Sequence, residues 1–204
     1  MTRIKNSSLA LFVLGFLLTT SAVQAGFDRV IIDAGHGGKD KGGSSGYVYE
    51  KHLALDTSLR LAAMLKQVGL NVILTRSRDK FLELEQRSKI GNRYRNAIFV
   101  SIHYNYTSRS SVSGAETFYY HSDSRSLASS IQRHMCSSAN IYNRGVKHRG
   151  FHVIKSTTRS PSVLVECGFV SNSWERKKCM TGAHRQKLAE GIAKGILENR
   201  WNSR

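Results

Sequence analysis

The sequence predicts a single α/β domain, with a mostly parallel or mixed sheet of about six strands flanked by helices. Two observations carry this prediction. Short runs of β-branched residues alternate with longer amphipathic segments, which is typical of a sheet whose faces are covered by helices. The chain of 204 residues has one proline, no internal repeat and no proline-rich linker. Its length therefore suits one domain with a core of its own.

The predicted strands are short apolar runs that end at polar or glycine residues. The first is Val30–Asp33, and the same pattern predicts five more: Asn71–Thr75, Ala97–Ile102, Ala115–Tyr120, Phe151–Ile154 and Val163–Val165. Apolar residues at steps of three and four predict a helix over Lys51–Val68, which Gly69 ends. Three further segments are predicted to be helical: Leu84–Tyr94, Ser126–Ala139 and His184–Arg200.

The first 25 residues have the pattern of a secretory signal peptide. Arg3 and Lys5 precede the apolar run Leu9–Leu18, which is too short to span a membrane. The sequence Val23–Ala25 fits the small-x-small cleavage pattern. We therefore expect a mature domain at residues 26–204, exported to the periplasm and without a membrane span after cleavage. An uncleaved N-terminal anchor is the alternative.

The chain is strongly basic, with 31 Lys and Arg against 14 Asp and Glu and a net charge of +17. Such a charge attracts polyanions whatever the fold. A cytoplasmic protein of this kind would bind nucleic acid, but the signal peptide argues against a nucleic-acid partner and favours anionic polymers or lipids of the envelope. The basic residues are spread along the chain, which predicts a broadly basic surface: Arg76, Arg78, Lys80, Arg87, Lys89, Arg93, Arg95, Arg144, Lys147 and Arg149.

The three cysteines do not form a disulfide framework. An oxidising compartment allows one bridge among Cys136, Cys167 and Cys179 and leaves one thiol over. The sequence does not indicate which two of these cysteines would form it. Because Cys167 lies inside an apolar run, we expect it to be a buried small side chain.

Titratable side chains follow three of the predicted strands. His36 follows the first strand, His103 ends the "SIH" run of the third, and Glu166 closes the apolar run "SVLV". In open α/β sheets, sites collect beyond the carboxyl ends of the strands. Glu50 opens the first helix, where a carboxylate is favoured, and the neighbouring His52 competes for the same role.

Two imidazoles and two carboxylates at one sheet edge indicate a zinc enzyme. A catalytic zinc takes three protein ligands of nitrogen and oxygen type and keeps one position for water. The metal lowers the pKa of that water to about 7, and a second carboxylate handles the proton. The glycines around His36 allow a sharp turn and leave the open side of the metal unobstructed. The chain has no HExxH motif, and Asp40 breaks a GxGxxG pattern in this loop.

Six blocks in order carry a resemblance to a known family: "VIIDAGHGG", "EKHLALD", "VILTRSRDKFLELEQRSKIGN", "FVSIHYN", "GAETFYY" and "PSVLVECGFVSN". Together they closely resemble the zinc-dependent N-acetylmuramoyl-L-alanine amidases (amidase type 3) that cut septal peptidoglycan during bacterial cell division. The resemblance covers about residues 28–200. It implies one zinc ion bound by His36, Glu50 and His103, with Glu166 as the catalytic carboxylate, and so favours Glu50 over His52.

The implied substrate is the amide between N-acetylmuramic acid and L-alanine of the stem peptide. Some members of the family carry a long insertion with a helix that blocks the zinc until an activator displaces it. The corresponding interval here, Tyr104–Gly114, is short, which favours an open site and leaves the need for an activator protein undecided. Two alternatives stay open: a zinc peptidase that cuts within the stem peptide, and a non-catalytic basic protein that binds the cell wall.

Overall fold

The computed structural model describes residues 26–202. The predicted signal peptide, residues 1–25, lies outside the described residues, so it stays a prediction. Within the described part of the chain, no helix combines the length and the apolar character needed to cross a membrane.

Strands and helices alternate through most of the described chain. The strands are β1 (Arg29–Ala34), β2 (Ser44–Ser45), β3 (Val48–Tyr49), β4 (Asn71–Leu74), β5 (Ala97–Asn105), β6 (Ala115–Tyr119), β7 (Asn143–His148) and β8 (Ser162–Phe169). The helices are α1 (Glu50–Gln67), α2 (Leu84–Gly91), α3 (Arg125–Ala139), α4 (His152–Lys155), α5 (Ser173–Met180) and α6 (Gly182–Asn202).

Six of the strands form one mixed sheet in the order β4-β1-β5-β8-β6-β7. Strands β4, β1, β5 and β8 are parallel, β6 is antiparallel to β8, and β7 is parallel to β6. Strands β2 and β3 form a separate small hairpin. The predicted fold class, an α/β domain with a mixed sheet of about six strands, is confirmed.

Buried apolar side chains cover both faces of the sheet. On one face, Val30 and Ile32 of β1 belong to a large core beneath α1, α3 and α6. On the other face, Ile31 joins a smaller core with Phe99 and Leu164, beneath α2 and α4. A strand with apolar residues on both faces reads as a continuous apolar run, which is why β1, β5 and β8 were predictable.

One predicted strand is wrong. Residues Phe151–Ile154 were expected to be extended, but His152–Lys155 form a single helical turn, α4, whose Lys155 amide donates to the Phe151 carbonyl. Short apolar runs do not distinguish a strand from a buried helical turn. Helix α2 also ends at Gly91, before the predicted Tyr94.

The short hairpin strands β2 and β3 were not predicted. Two longer elements were not predicted either, and both are polar. The edge strand β7 has the sequence "NRGVKH", and α5 has the sequence "SWERKKCM". Neither shows a clear apolar period, because an edge strand and a surface helix bury little of their length. The three cysteines are free thiols and all are buried, as expected for Cys167.

Candidate active site

Three parallel strands bring their carboxyl ends together at one edge of the sheet. His103 of β5 and Glu166 of β8 are directly paired in the parallel register. His36 lies two residues beyond the end of β1, and Glu50 is the first residue of α1. The structure therefore places all four predicted site residues at the same edge.

Glu50 bridges the two imidazoles. Its Oε2 lies 3.1 Å from Nε2 of His36, and its Oε1 lies 2.8 Å from Nδ1 of His103. One ligand atom from each of the three side chains lies within 4.8 Å of the others. Neighbouring ligands of a tetrahedral zinc are about 3.3 Å apart, so this donor set fits the ion in both spacing and chemistry.

His52 takes no part in this cluster. Its side chain is 56% exposed, and its Nε2 lies 3.7 Å from Oδ2 of Asp79. Glu50, in contrast, is buried beneath the loop that carries His36. The structure thus favours Glu50 over His52 as the candidate ligand, a choice that sequence spacing alone left open.

The sequence reasoning missed Asp40 as a site residue. Its Oδ2 lies 2.7 Å from Nδ1 of His36, and its Oδ1 accepts a hydrogen bond from the Gly42 amide at 3.0 Å. A carboxylate on the far nitrogen of an imidazole fixes the orientation of the ring and is common behind metal ligands. The available signal was an acid four residues after a candidate ligand in a glycine-rich loop.

The glycines leave room for the site's own side chains. A Cβ on Gly35 would lie 2.5–2.7 Å from the ring of His103, and one on Gly42 would lie 2.5 Å from Oε2 of Glu50. His36 itself has a φ of 57°, in the left-handed region that side chains other than glycine rarely adopt. Such strain is typical of functional positions that the surrounding structure holds in place.

Two buried arginines hold the backbone of the His36 loop. Arg87 donates to Asp33 Oδ1 at 2.8 Å, to the Ala34 carbonyl at 2.6 Å and to the His36 carbonyl at 2.7 Å. Arg76 donates to the carbonyls of Ala34, Gly35 and Lys51. Both residues were predicted to lie on a basic surface, and for these two that prediction is wrong.

The charges of the cluster favour an ionised carboxylate between two imidazoles. Burial acts to raise the pKa of Glu50, but its hydrogen bonds with His103 and His36 outweigh burial and lower it. Burial acts to lower the pKa of His36, but its hydrogen bonds with Glu50 and Asp40 raise it. A bound cation would replace the protons that these imidazoles share with Glu50, and Nδ1 of His36 would keep its proton toward Asp40.

Glu166 lies beside the cluster, and the pKa of its carboxyl is shifted in the opposite direction from that of Glu50. It is buried, and among the described residues its Oε2 has no hydrogen-bond partner. Burial raises the pKa of its carboxyl well above the usual value, and the nearby carboxylates of Glu50 and Glu116 raise it further. A buried carboxyl with an unused oxygen suits a group that holds and moves a proton.

Two cavities meet at the cluster. One, of about 250 Å³, is lined by the four predicted site residues together with Tyr104, Asn105, Tyr106, Phe151 and Leu164. The second, of about 160 Å³, extends from His36 and His103 between the starts of α2 and α4, over apolar side chains that include Phe81, Phe151 and Leu164. The site is therefore an accessible cleft with one polar side and one apolar side.

A second charged group, which the sequence reasoning did not find, lies next to Glu166. Glu116 of β6 is its direct partner in the antiparallel register. Oε2 of Glu116 accepts hydrogen bonds from Arg144 Nε, at 3.1 Å, and from Lys147 Nζ. Its Oε1 accepts one from Asn105 Nδ2 at 2.9 Å. The polar side of the cleft thus continues across the sheet to β7.

Comparisons with known proteins give a consistent result. A protein-family model described as N-acetylmuramoyl-L-alanine amidase matches residues 30–198. The Bacillus subtilis (strain 168) protein YqiI is 42% identical over 172 residues, which cover 82% of each chain. The N-acetylmuramoyl-L-alanine amidase LytC of the same organism is 34% identical over 174 residues, covering 83% of this chain and 35% of LytC. The chain therefore spans about a third of LytC's length.

Solved structures agree over nearly the whole described chain. The catalytic domain of CwlV, an N-acetylmuramoyl-L-alanine amidase from Bacillus (Paenibacillus) polymyxa var. colistinus, superposes with a TM-score of 0.80 at 40% identity, covering 84% of this chain and 97% of that domain. The CwlD amidase of Clostridioides difficile, solved in complex with the GerS lipoprotein, gives a TM-score of 0.80 at 34% identity and covers 84% of this chain and 98% of CwlD.

Proposed function

We propose, from the premise that this chain belongs to the N-acetylmuramoyl-L-alanine amidase family, that it hydrolyses the amide between the lactyl group of N-acetylmuramic acid and L-alanine of the stem peptide. The single observation that supports this most is the cluster of His36, Glu50 and His103, whose ligand atoms lie within 4.8 Å of one another. Glu166 lines the same cavity. A protein that only binds the cell wall needs none of these groups.

Zinc is the metal that this donor set would hold. His36, Glu50 and His103 would bind it, and Asp40 would fix the ring of His36 through Nδ1. When bound, zinc would supply a water molecule of lowered pKa and polarise the amide carbonyl. The cavity beside the cluster leaves space for the substrate to reach this position.

Glu166 would move the proton of the reaction. The charge of a bound zinc ion would favour the ionised form of the Glu166 carboxyl, whose raised pKa otherwise favours the protonated form. Its unpartnered Oε2 is then available to accept a proton from the attacking water as the new carbon–oxygen bond forms. The same carboxyl would then donate that proton to the nitrogen of L-alanine as the carbon–nitrogen bond breaks. The products are the lactyl carboxylate and a stem peptide with a free amino terminus.

The proposal also covers the cellular location of the reaction, its biological role and a protein partner. The family and the predicted signal peptide at residues 1–25 support action on peptidoglycan outside the cytoplasm, in the periplasm, and the net charge of +17 suits an anionic polymer of the envelope. We propose a role in cell-wall remodelling and the separation of daughter cells. A protein partner is part of the proposal as well, because CwlD was solved with a lipoprotein bound.

The test is hydrolysis of purified peptidoglycan by residues 26–204, with products identified by mass spectrometry. The arms are untreated protein, chelated protein, chelated protein with zinc restored, Glu166→Gln and the exposed control Glu85→Gln. We expect free stem peptides that begin with L-alanine, lost on chelation, restored by zinc and unchanged in Glu85→Gln. Glu166→Gln should lower the rate by about 10²–10⁴-fold while zinc stays bound.

Other outcomes would overturn or refine particular parts of the proposal. Zinc-dependent cleavage within the stem peptide would keep the site and overturn the specificity, making the chain a peptidase. The absence of both bound zinc and products would overturn the enzyme and leave a basic wall-binding protein. Bound zinc with products only after a partner protein is added would identify an activated enzyme.

A further inference from the structure

A row of polar side chains crosses the sheet at the height of the candidate active site. His103 of β5 pairs with Glu166 of β8, and Glu166 pairs with Glu116 of β6. On the next strand, Ala115 pairs with Asn143 and Thr117 with Val146, so two residues of β7, Arg144 and Gly145, stand opposite Glu116. The row therefore ends at Arg144, two strands away from Glu166.

The end of the row carries two cations on one carboxylate. Arg144 Nε and Lys147 Nζ both donate to Oε2 of Glu116. The Arg144 side chain is 29% exposed and that of Lys147 is 41% exposed. The group therefore offers an excess positive charge at a surface that a ligand can reach.

The protein holds this group in place through further contacts. Nη1 of Arg144 donates to the Ser113 carbonyl at 3.3 Å, and its guanidinium carbon lies 5.2 Å from the centre of the Phe169 ring. Glu175 also faces Arg144, but its oxygens accept the amides of Gly114 and Phe169. The guanidinium is thus held in place, and among the described residues Glu116 is the one carboxylate that forms an ion pair with it.

We infer that Arg144 and Lys147 bind the free α-carboxylate of the second stem residue, D-isoglutamate, and so select substrates in which this group is not amidated. This inference rests on the proposed function. Adjacent strands are about 4.8 Å apart, so β7 lies about 10 Å from β8. The Arg144 side chain reaches back one strand, to Glu116, and shortens that distance.

The geometry of the stem peptide matches this spacing. An extended residue spans about 3.5 Å, so a carboxylate one residue beyond L-alanine lies about 7 Å from the scissile amide. A guanidinium forms charge-assisted hydrogen bonds with a carboxylate, whereas a neutral amide makes weaker ones. With the scissile amide beside Glu166, the stem peptide would run along the row toward β7, and the apolar cavity would remain for the muramoyl side.

The test compares two muropeptides that differ only at this group, N-acetylmuramoyl tetrapeptides with D-isoglutamate or with D-isoglutamine in the second position. Zinc-loaded wild type, Arg144→Gln, Lys147→Met and the control Arg95→Gln are assayed on both. We expect wild type to prefer the acid, and Arg144→Gln to lose about tenfold to a hundredfold in kcat/KM on the acid through KM. Activity on the amide should change less than twofold, and Arg95→Gln should match wild type.

A binding measurement keeps the inference testable if neither muropeptide is cleaved. Calorimetry with Glu166→Gln measures the Kd of L-alanyl-D-isoglutamate and of L-alanyl-D-isoglutamine, without turnover. Tighter binding of the acid, lost in Glu166→Gln/Arg144→Gln, would support the carboxylate site. Equal Kd values for the two peptides, or equal losses on both muropeptides in the variants, would overturn it. Absence of any amide hydrolysis would instead count against the proposed function.

Discussion

Nδ1 of His36 lies 2.7 Å from Oδ2 of Asp40, so the ring directs Nε2 toward Glu50. The Asp40 carboxylate is itself held by the Gly42 amide. Among the described residues, Asp40 forms a hydrogen bond with His36 and none with Glu50 or His103, so it acts through His36, as a positioning residue.

Asp40→Asn should therefore weaken zinc binding without abolishing it. Loss of such a carboxylate behind a ligand lowers metal affinity by about 10–100-fold. Competition with a chelator of known affinity measures the zinc Kd, with Asp28→Asn, an exposed acid at the other end of β1, as the control. A zinc Kd equal to that of wild type would show that Asp40 does not orient the ring.

Gly42→Ala and Gly46→Ala form a matched pair. Their φ values are +66° and +59°, so both substitutions carry a similar backbone cost of about 1 kcal/mol. A Cβ at Gly42 would lie 2.5 Å from Oε2 of Glu50, whereas one at Gly46 meets nothing within 4 Å. We expect Gly42→Ala alone to lose zinc affinity, by tenfold or more. Equal zinc Kd values in the two variants would show that the loop moves aside.

Arg87→Lys should loosen the His36 loop although it keeps the charge. The guanidinium spans Asp33, the Ala34 carbonyl and the His36 carbonyl, and one ammonium group does not reach all three. We expect a loss of about 2–4 kcal/mol in the free energy of unfolding. Urea denaturation measures it, with the exposed Arg78→Lys as the control. A change below 0.5 kcal/mol, near the level of ordinary surface substitutions, would contradict this role.

His184 should make the fold sensitive to acid. Burial, together with the nearby positive charges of Lys178, Lys187 and Arg185, lowers its pKa to about 4. An unfolded histidine has a pKa of about 6.5, so between these values the unfolded chain binds more protons than the folded chain. Stability that is present above pH 6.5 should fall by about 1–3 kcal/mol as the pH drops to 4.

The variant His184→Gln isolates this contribution. Urea denaturation at pH 7.5 and at pH 4.5 should show a smaller loss of stability for the variant than for wild type. An identical loss in both proteins would assign the acid sensitivity to other groups.

Much of the site was predictable because its residues terminate apolar runs. His36, His103 and Glu166 follow or close the buried strands β1, β5 and β8, and parallel strands bring such positions to one edge. The fold class followed from the same runs. The family resemblance then selected Glu50 over His52, and the contacts of Glu50 with both imidazoles are consistent with that choice. The ligand roles themselves remain predictions.

The missed features have a common physical cause. Arg76, Arg87 and Glu116 act through partners distant in sequence or through backbone groups, and composition does not report such contacts. Charge counts, for example, placed Arg87 on the surface, although its guanidinium is buried against Asp33 and two carbonyls. Strand β7 was missed because a strand at the edge of a sheet needs no apolar alternation.

Strand β6 runs antiparallel to β8. This reversal of strand direction determines which parts of the site can change independently during evolution. In a wholly parallel sheet, the start of β6 would lie at the far edge, but here Glu116 stands level with Glu166. The candidate metal ligands come from the sheet interior and from the loop and helix beside it, where Asp33, Arg87 and Glu50 are buried. Arg144 and Lys147 belong to the outermost strand, which has one neighbour. Substrate preference can therefore diversify by changes in that strand while the hydrolytic machinery stays constant.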